Sequence, residues 1–170
     1  MRGKTITGSG VFLRTVVSLF FLMQMIRAVG QEPPPRPLEV YTTSQELSFG
    51  SFTLTGPGSV IIYADGTSDF SGGVVLLTML PVRSTTRLEL VANPGTLVSL
   101  LVWPASTLTN GTNTMSFQID STLPVLPYVI ATDPPASTSL YLGGTLTVGN
   151  LASNPAGNYT GTFNITFFQE

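Results

Sequence analysis

MSFQID, residues 115–120, decides the fold: Met115, Phe117 and Ile119 alternate with Ser116, Gln118 and Asp120. In extended chain successive side chains point to opposite faces, so this is a strand with one buried side and one wet side. The same period recurs on either flank. Leu88 and Leu90 alternate with Arg87 and Glu89, and Leu146 and Val148 with Thr145 and Thr147. Near the end Tyr159, Phe163, Ile165 and Phe167 share one parity, against Thr160, Thr162, Asn164 and Thr166. The wet sides are written in threonine and serine, which suit a pleated strand.

Turn chemistry punctuates these segments: Asp65-Gly66, Gly72-Gly73, Asn93-Pro94-Gly95, Asn110-Gly111, Asp133-Pro134-Pro135 and Gly143-Gly144. More continuous apolar runs at residues 60–63, 74–80 and 97–103 predict strands buried on both sides or central in a sheet. Between Leu47 and Leu54 the apolar parity flips at Gly50-Ser51, which predicts a bulge or a change of sheet. No segment after residue 37 keeps helical spacing. About nine or ten short strands with turns between them predict an all-β, two-sheet sandwich.

Residues 1–30 carry Arg2, Lys4 and Arg14, then an apolar run of residues 15–26, then Ala28-Val29-Gly30. A basic flank, a short apolar stretch and small residues make a cleavable signal peptide, too short to span a bilayer, with Gln31 as the new N-terminus. Residues 31–37 (QEPPPRP) are a proline-rich lead-in, and residues 38–170 a single sandwich domain. Beyond residue 30 only three arginines face nine carboxylates, a formal charge of −6 without any lysine. Such a chain cannot neutralise a row of phosphates, so nucleic acid is excluded, as is adhesion to anionic lipid by a basic patch. No second apolar stretch of spanning length follows, so stable membrane insertion after cleavage is not expected.

With no cysteine and no histidine, and no lysine after cleavage, triad and Schiff-base chemistry are absent; no catalytic residue, cofactor or metal site is expected. The carboxylates Asp65, Asp69, Glu89, Asp120 and Asp133 read as turn formers and solvating groups, with an Asp65–Asp69 calcium loop as the lesser alternative. Arg87 and Glu89 share a strand face and are expected to satisfy one another; Arg83 and Arg87 are alternative anchors for an acidic sugar. Trp103 is a candidate glycan platform, although at the end of the run LVSLLVW it reads first as core. The last strand, GTFNITFF (residues 161–168), has no guarding charge. Either it is central in its own sheet, or Phe163, Ile165 and Phe167 mark an edge completed by another chain. Residues 38–49 are a candidate donated segment.

LSFGSF (residues 47–52), GSVIIYADGT (58–67), GGVVLL (72–77), LTNGTNTMSF (108–117), YLGGTLTV (141–148) and the closing NPAGNYTGTFNITFFQE (154–170) resemble domain-of-unknown-function family 4402. Members of that family are similar in pattern to spore coat protein U and to chaperone–usher pilin subunits. The resemblance implies an immunoglobulin-like, pilin-like sandwich exported from a Gram-negative bacterium to the periplasm, outer cell surface or medium. It departs from such pilins in lacking a cysteine pair and in its proline-rich lead-in. The resulting expectation is a non-catalytic, pilin-like or coat-like subunit that pairs strands with itself or with a periplasmic chaperone. The alternative is a monomeric binding module for a glycan or a surface protein.

Overall fold

Alternation becomes strand wherever a turn residue lets the chain reverse. The structure, a computed structural model, describes residues 36–101 and 103–170, so the signal-peptide reading and residues 31–35 of the lead-in lie outside the described residues. Ten strands form, without a helix among the described residues: β1 (Glu39–Thr42), β2 (Phe52–Ile62), β3 (Ser68–Leu76), β4 (Thr86–Val91), β5 (Leu97–Leu100), β6 (Ala105–Thr109), β7 (Thr114–Leu123), β8 (Tyr128–Val129), β9 (Thr138–Val148) and β10 (Phe167–Gln169). They make two antiparallel sheets around one apolar core, the sandwich that the period-two pattern predicts. The larger sheet runs β1-β4-β9-β2-β3, with β7 also against β9 and β6 beyond it; the smaller runs β10-β5-β8.

Three partners share β9. Strand β7 takes one edge of it, while β4 pairs its residues 138–142 and β2 its residues 144–148 on the other. Side chains therefore meet in rows across three strands: Phe117–Leu146–Val60, then Ile119–Gly144–Ile62. Val60, Ile62 and Ile119 are completely buried, and each such aliphatic side chain contributes about 1.5–3 kcal/mol. The neighbours leave no space for a side chain on Gly143 or Gly144. A Cβ on Gly144 would lie 2.4 Å from the Gln118 carbonyl oxygen, and one on Gly143 would lie 2.2 Å from that of Ile62. Opposite the two glycines β7 bulges at Asp120.

The β2–β3 hairpin has its own corner. The pairing slips between Leu54 and Gly58, where Gly56 and Gly73 touch backbone to backbone: a Cβ on Gly73 would lie 2.2 Å from the Gly56 nitrogen. Arg83 then joins the two arms of β3, donating from Nε to Ser68 Oγ (3.0 Å) and from Nη1 to the Leu77 carbonyl (3.3 Å). A single guanidinium reaches both only because the strand folds back at its centre. This is the role the structure gives Arg83.

One reading of the apolar runs changes. Residues 74–80 are not central: β3 ends its sheet, and Val75, Met79 and Leu80 are exposed. The physical reason is partnership: β3 pairs with β2 on both sides of the glycine corner and has no other strand beside it among the described residues, and it ends at Leu76. The parity flip at Gly50 marks a left-handed residue (φ 72°) between the Ser48–Ser84 bridge and the start of β2.

Closing the gap at Gly144 with a methyl group forces backbone apart, at a cost of about 3 kcal/mol or more. Gly144→Ala is expected to lower the melting temperature by about 10 °C or more, given a few degrees per kcal/mol for a domain of this size. Ser121 Oγ is buried without a hydrogen-bond partner among the described residues, so Ser121→Ala is expected to hold or raise the melting temperature by the same measurement.

Candidate interaction edge

The C-terminal segment runs antiparallel beside the stretch that contains β5 and β6. Leu97 and Glu170 exchange both backbone bonds (2.9 and 3.0 Å), Leu101 donates to Thr166 (3.0 Å), and Thr109 and Thr160 exchange both bonds (2.8 and 3.0 Å). The Ser106 hydroxyl donates to the Thr162 carbonyl (2.6 Å). Every one of these contacts falls on an even-numbered residue of the segment. The ladder of β10 with β5 alternates, so the N–H and C=O groups of Phe167 and Gln169 point the other way. On that side β10 is the last strand of its sheet. Residues 161–166, expected as part of the last strand, lie before β10, and the backbone groups of Phe163 and Ile165 bond to no other described residue.

The side chains of Phe163, Ile165 and Phe167 are half-buried against the core, whereas Asn164, Thr166 and Phe168 are exposed. Phe163 meets the ring of Phe117 edge to face, with centroids 5.7 Å apart. Tightness here has a backbone cause: a Cβ on Gly161 would lie 2.3 Å from the Thr107 carbonyl oxygen. The segment is thus an edge whose side chains belong to the core and whose outward backbone groups lack a neighbouring strand among the described residues. One side chain leans across that edge. The Gln169 carboxamide accepts from Leu38 N–H (2.6 Å) and donates to the Arg36 carbonyl (3.0 Å), imitating one rung of a ladder. Residues 39–42, within the segment considered as a donated strand, pair with β4 of the same chain.

Trp103 is not core. It is 39% exposed, beyond the end of β5 and next to exposed Leu101. The run leaves the sheet after Leu100, and burial ends with it.

The acidic side chains are engaged locally. Asp65 Oδ1 accepts from the backbone and hydroxyl of Thr67, which hold its carboxyl below the usual range. Asp69 caps the N–H of Phe70. Asp120 accepts from the Thr145 hydroxyl, in a shallow hollow of about 370 Å³ also lined by Ser106, Ser116, Gln118 and Thr147. Among the described residues no group of three acidic side chains could hold a metal ion. Arg87 and Glu89 pair as expected on the outer face, with Arg87 also 5.9 Å over the ring of Tyr141. Glu89 accepts from Ser137 (2.6 Å), from Ser139 (2.9 Å) and from Arg87 Nε (2.7 Å). Those donors, Ser137 foremost, hold its carboxyl below the ordinary range.

An antiparallel two-sheet sandwich whose C-terminal strand ends its sheet is the class of domain these features define. The chain belongs to the family described as Domain of unknown function (DUF4402), which matches residues 40–167. No curated protein and no solved structure matches it.

A carboxyl whose folded pKa is lowered stabilises the fold above its unfolded value, and that contribution is lost as pH falls through the folded one. Glu89→Gln is therefore expected to cost about 1 kcal/mol near pH 7, given the half-exposed arginine partner. Its deficit should shrink as pH falls from about 5 towards 3, below the ordinary glutamate range. Thermal melts of both proteins across that window check it.

Proposed function

We propose that this chain is a non-catalytic, exported structural or interaction protein, pilin-like or coat-like, that joins other polypeptides by β-strand addition at its C-terminal edge. One observation carries the reading: among the described residues the outward backbone groups of Phe163, Ile165 and Phe167 have no partner, while their side chains rest on the core. Strand addition supplies the missing main-chain bonds, and the alternating side chains of the added strand give specificity. The stretch 159–169 lacks the lysine, proline or inward charge with which soluble sheets guard their edges. Export follows from the signal-peptide pattern of residues 1–30, and a periplasmic chaperone is a natural temporary occupant of such an edge.

A second reading has its own support. Half-exposed Tyr41, the Arg87–Tyr141 stack and exposed Trp103 offer aromatic surface to a glycan. A binding module of that kind stays monomeric and gains melting temperature with ligand.

Hydrogen exchange resolved by residue tests the edge. In dilute protein the amides of Phe163, Ile165 and Phe167 are expected to exchange fast, while those of Thr160 and Glu170, bonded to Thr109 and Leu97, exchange slowly. In the assembled state the three fast amides should become protected. Protection already present in the dilute monomer, or none on assembly, would remove the reading.

A further inference from the structure

The outward groups sit on a palindrome. Phe163-Asn164-Ile165-Thr166-Phe167 reads alike in type from either end, aromatic and aliphatic inward and polar outward. We propose that the occupant of this edge is the same segment of a second copy, paired antiparallel about a two-fold axis at Ile165. The inference rests on the strand-addition reading and specifies its partner.

The register follows from which groups are available. Ile165 faces the partner's Ile165, and Phe163 faces the partner's Phe167, and conversely. Each of these pairs has its N–H and C=O groups directed outward in both copies, so each can exchange two backbone bonds. On the core side an aromatic pair then flanks each side of the central isoleucines, the kind of cross-strand contact that stabilises sheets. On the wet side Asn164 faces the partner's Thr166. A shift by one residue would set paired even-numbered groups against free odd ones and lose the bonds.

The contact itself sets no like charges against one another. No ionisable acid or base lies within residues 160–169, so two chains of formal charge −6 meet where neither carries a charge. The carboxamide bridge from Gln169 to residues 36 and 38 bounds the contact, which runs from Phe163 to Phe167. The contact is isologous and closes at two copies.

The absence of cysteine makes the test direct. Facing residues of a hydrogen-bonded pair have Cα atoms about 5.5 Å apart, inside the roughly 4.4–6.8 Å that a disulfide spans. Full-length Ile165→Cys is expected to give a covalent dimer on mild oxidation. Asn164→Cys should not link to itself, but should link to Thr166→Cys when the two are mixed. In sedimentation the unmodified chain should dimerise reversibly, and Thr166→Lys should weaken the dimer by about tenfold or more. A chain that stays monomeric without an Ile165→Cys link, or a dimer in which Asn164→Cys links to itself, overturns the proposal. A synthetic octapeptide of alternating valine and threonine separates the two failures. If it protects the amides of Phe163, Ile165 and Phe167 where a second copy does not, strand addition stands and self-pairing falls. If neither protects them, both fall.

Discussion

A peptide N–H or C=O withdrawn from water without a partner costs about as much as a lost hydrogen bond. Every sheet must therefore end somewhere its last row of groups can be tolerated. In this chain that requirement is met differently at two of the sheet edges. At β3 the row is bent out of line by the Gly56–Gly73 contact and held there by Arg83, so the edge cannot extend as a flat template. At the C-terminal segment no glycine corner of that kind is built, and among the described residues the side chain that leans across the edge is the carboxamide of Gln169. The contrast between a bent, arginine-held rim and an uncharged one is the main structural reason to look for a partner at the second.

The centre of the molecule answers a different demand from the same groups. Strand β9 has to bond to β7 on one side and successively to β4 and β2 on the other. Two strands can succeed one another along one edge only if the chain is slender where they change over. Gly143 and Gly144 provide that, with Ile62 and Ile119 packed on either side of Gly144 and the Asp120 bulge absorbing the mismatch in β7. The wet face benefits too, because the bulge presents Asp120 to Thr145. Fork, bulge and glycine pair are one device, and the hydroxyl-lined hollow on the outer face is its by-product.

Much of this was legible beforehand. Period two at Met115–Phe117–Ile119 and at Leu146–Val148 identifies core rows directly, because burial imposes that spacing whatever the neighbours. The Arg87–Glu89 pair could be read from two residues on one face. What could not be read was partnership. The run at residues 74–80 has the composition of a central strand, but whether a strand is central depends on what lies beside it, and among the described residues β3 has β2 alone as a neighbour. Trp103 failed for a related reason: the apolar run continues past the point where the sheet stops at Leu100. The alternation of residues 159–167 showed which side chains face inward, but not that their backbone groups face a rim with no neighbouring strand among the described residues. That took the register with β5 and the bridge at Thr109.

Self-pairing and growth make opposite demands on an edge. A palindromic contact consumes itself: once two copies meet, neither offers its C-terminal row to a third chain. A coat or filament needs a contact that leaves a free end at each addition. If the C-terminal edge pairs with itself, extended assembly has to come either from a different surface or from a foreign strand that displaces the second copy. The second route has a physical advantage. Two identical edges held by neutral backbone bonds and aromatic contacts release an intact, folded subunit, and an incoming strand regains the same main-chain bonds while adding side-chain contacts of its own. The pair would then act as a protected form of the edge, hiding an uncharged, aggregation-prone row until a better-matched strand arrives.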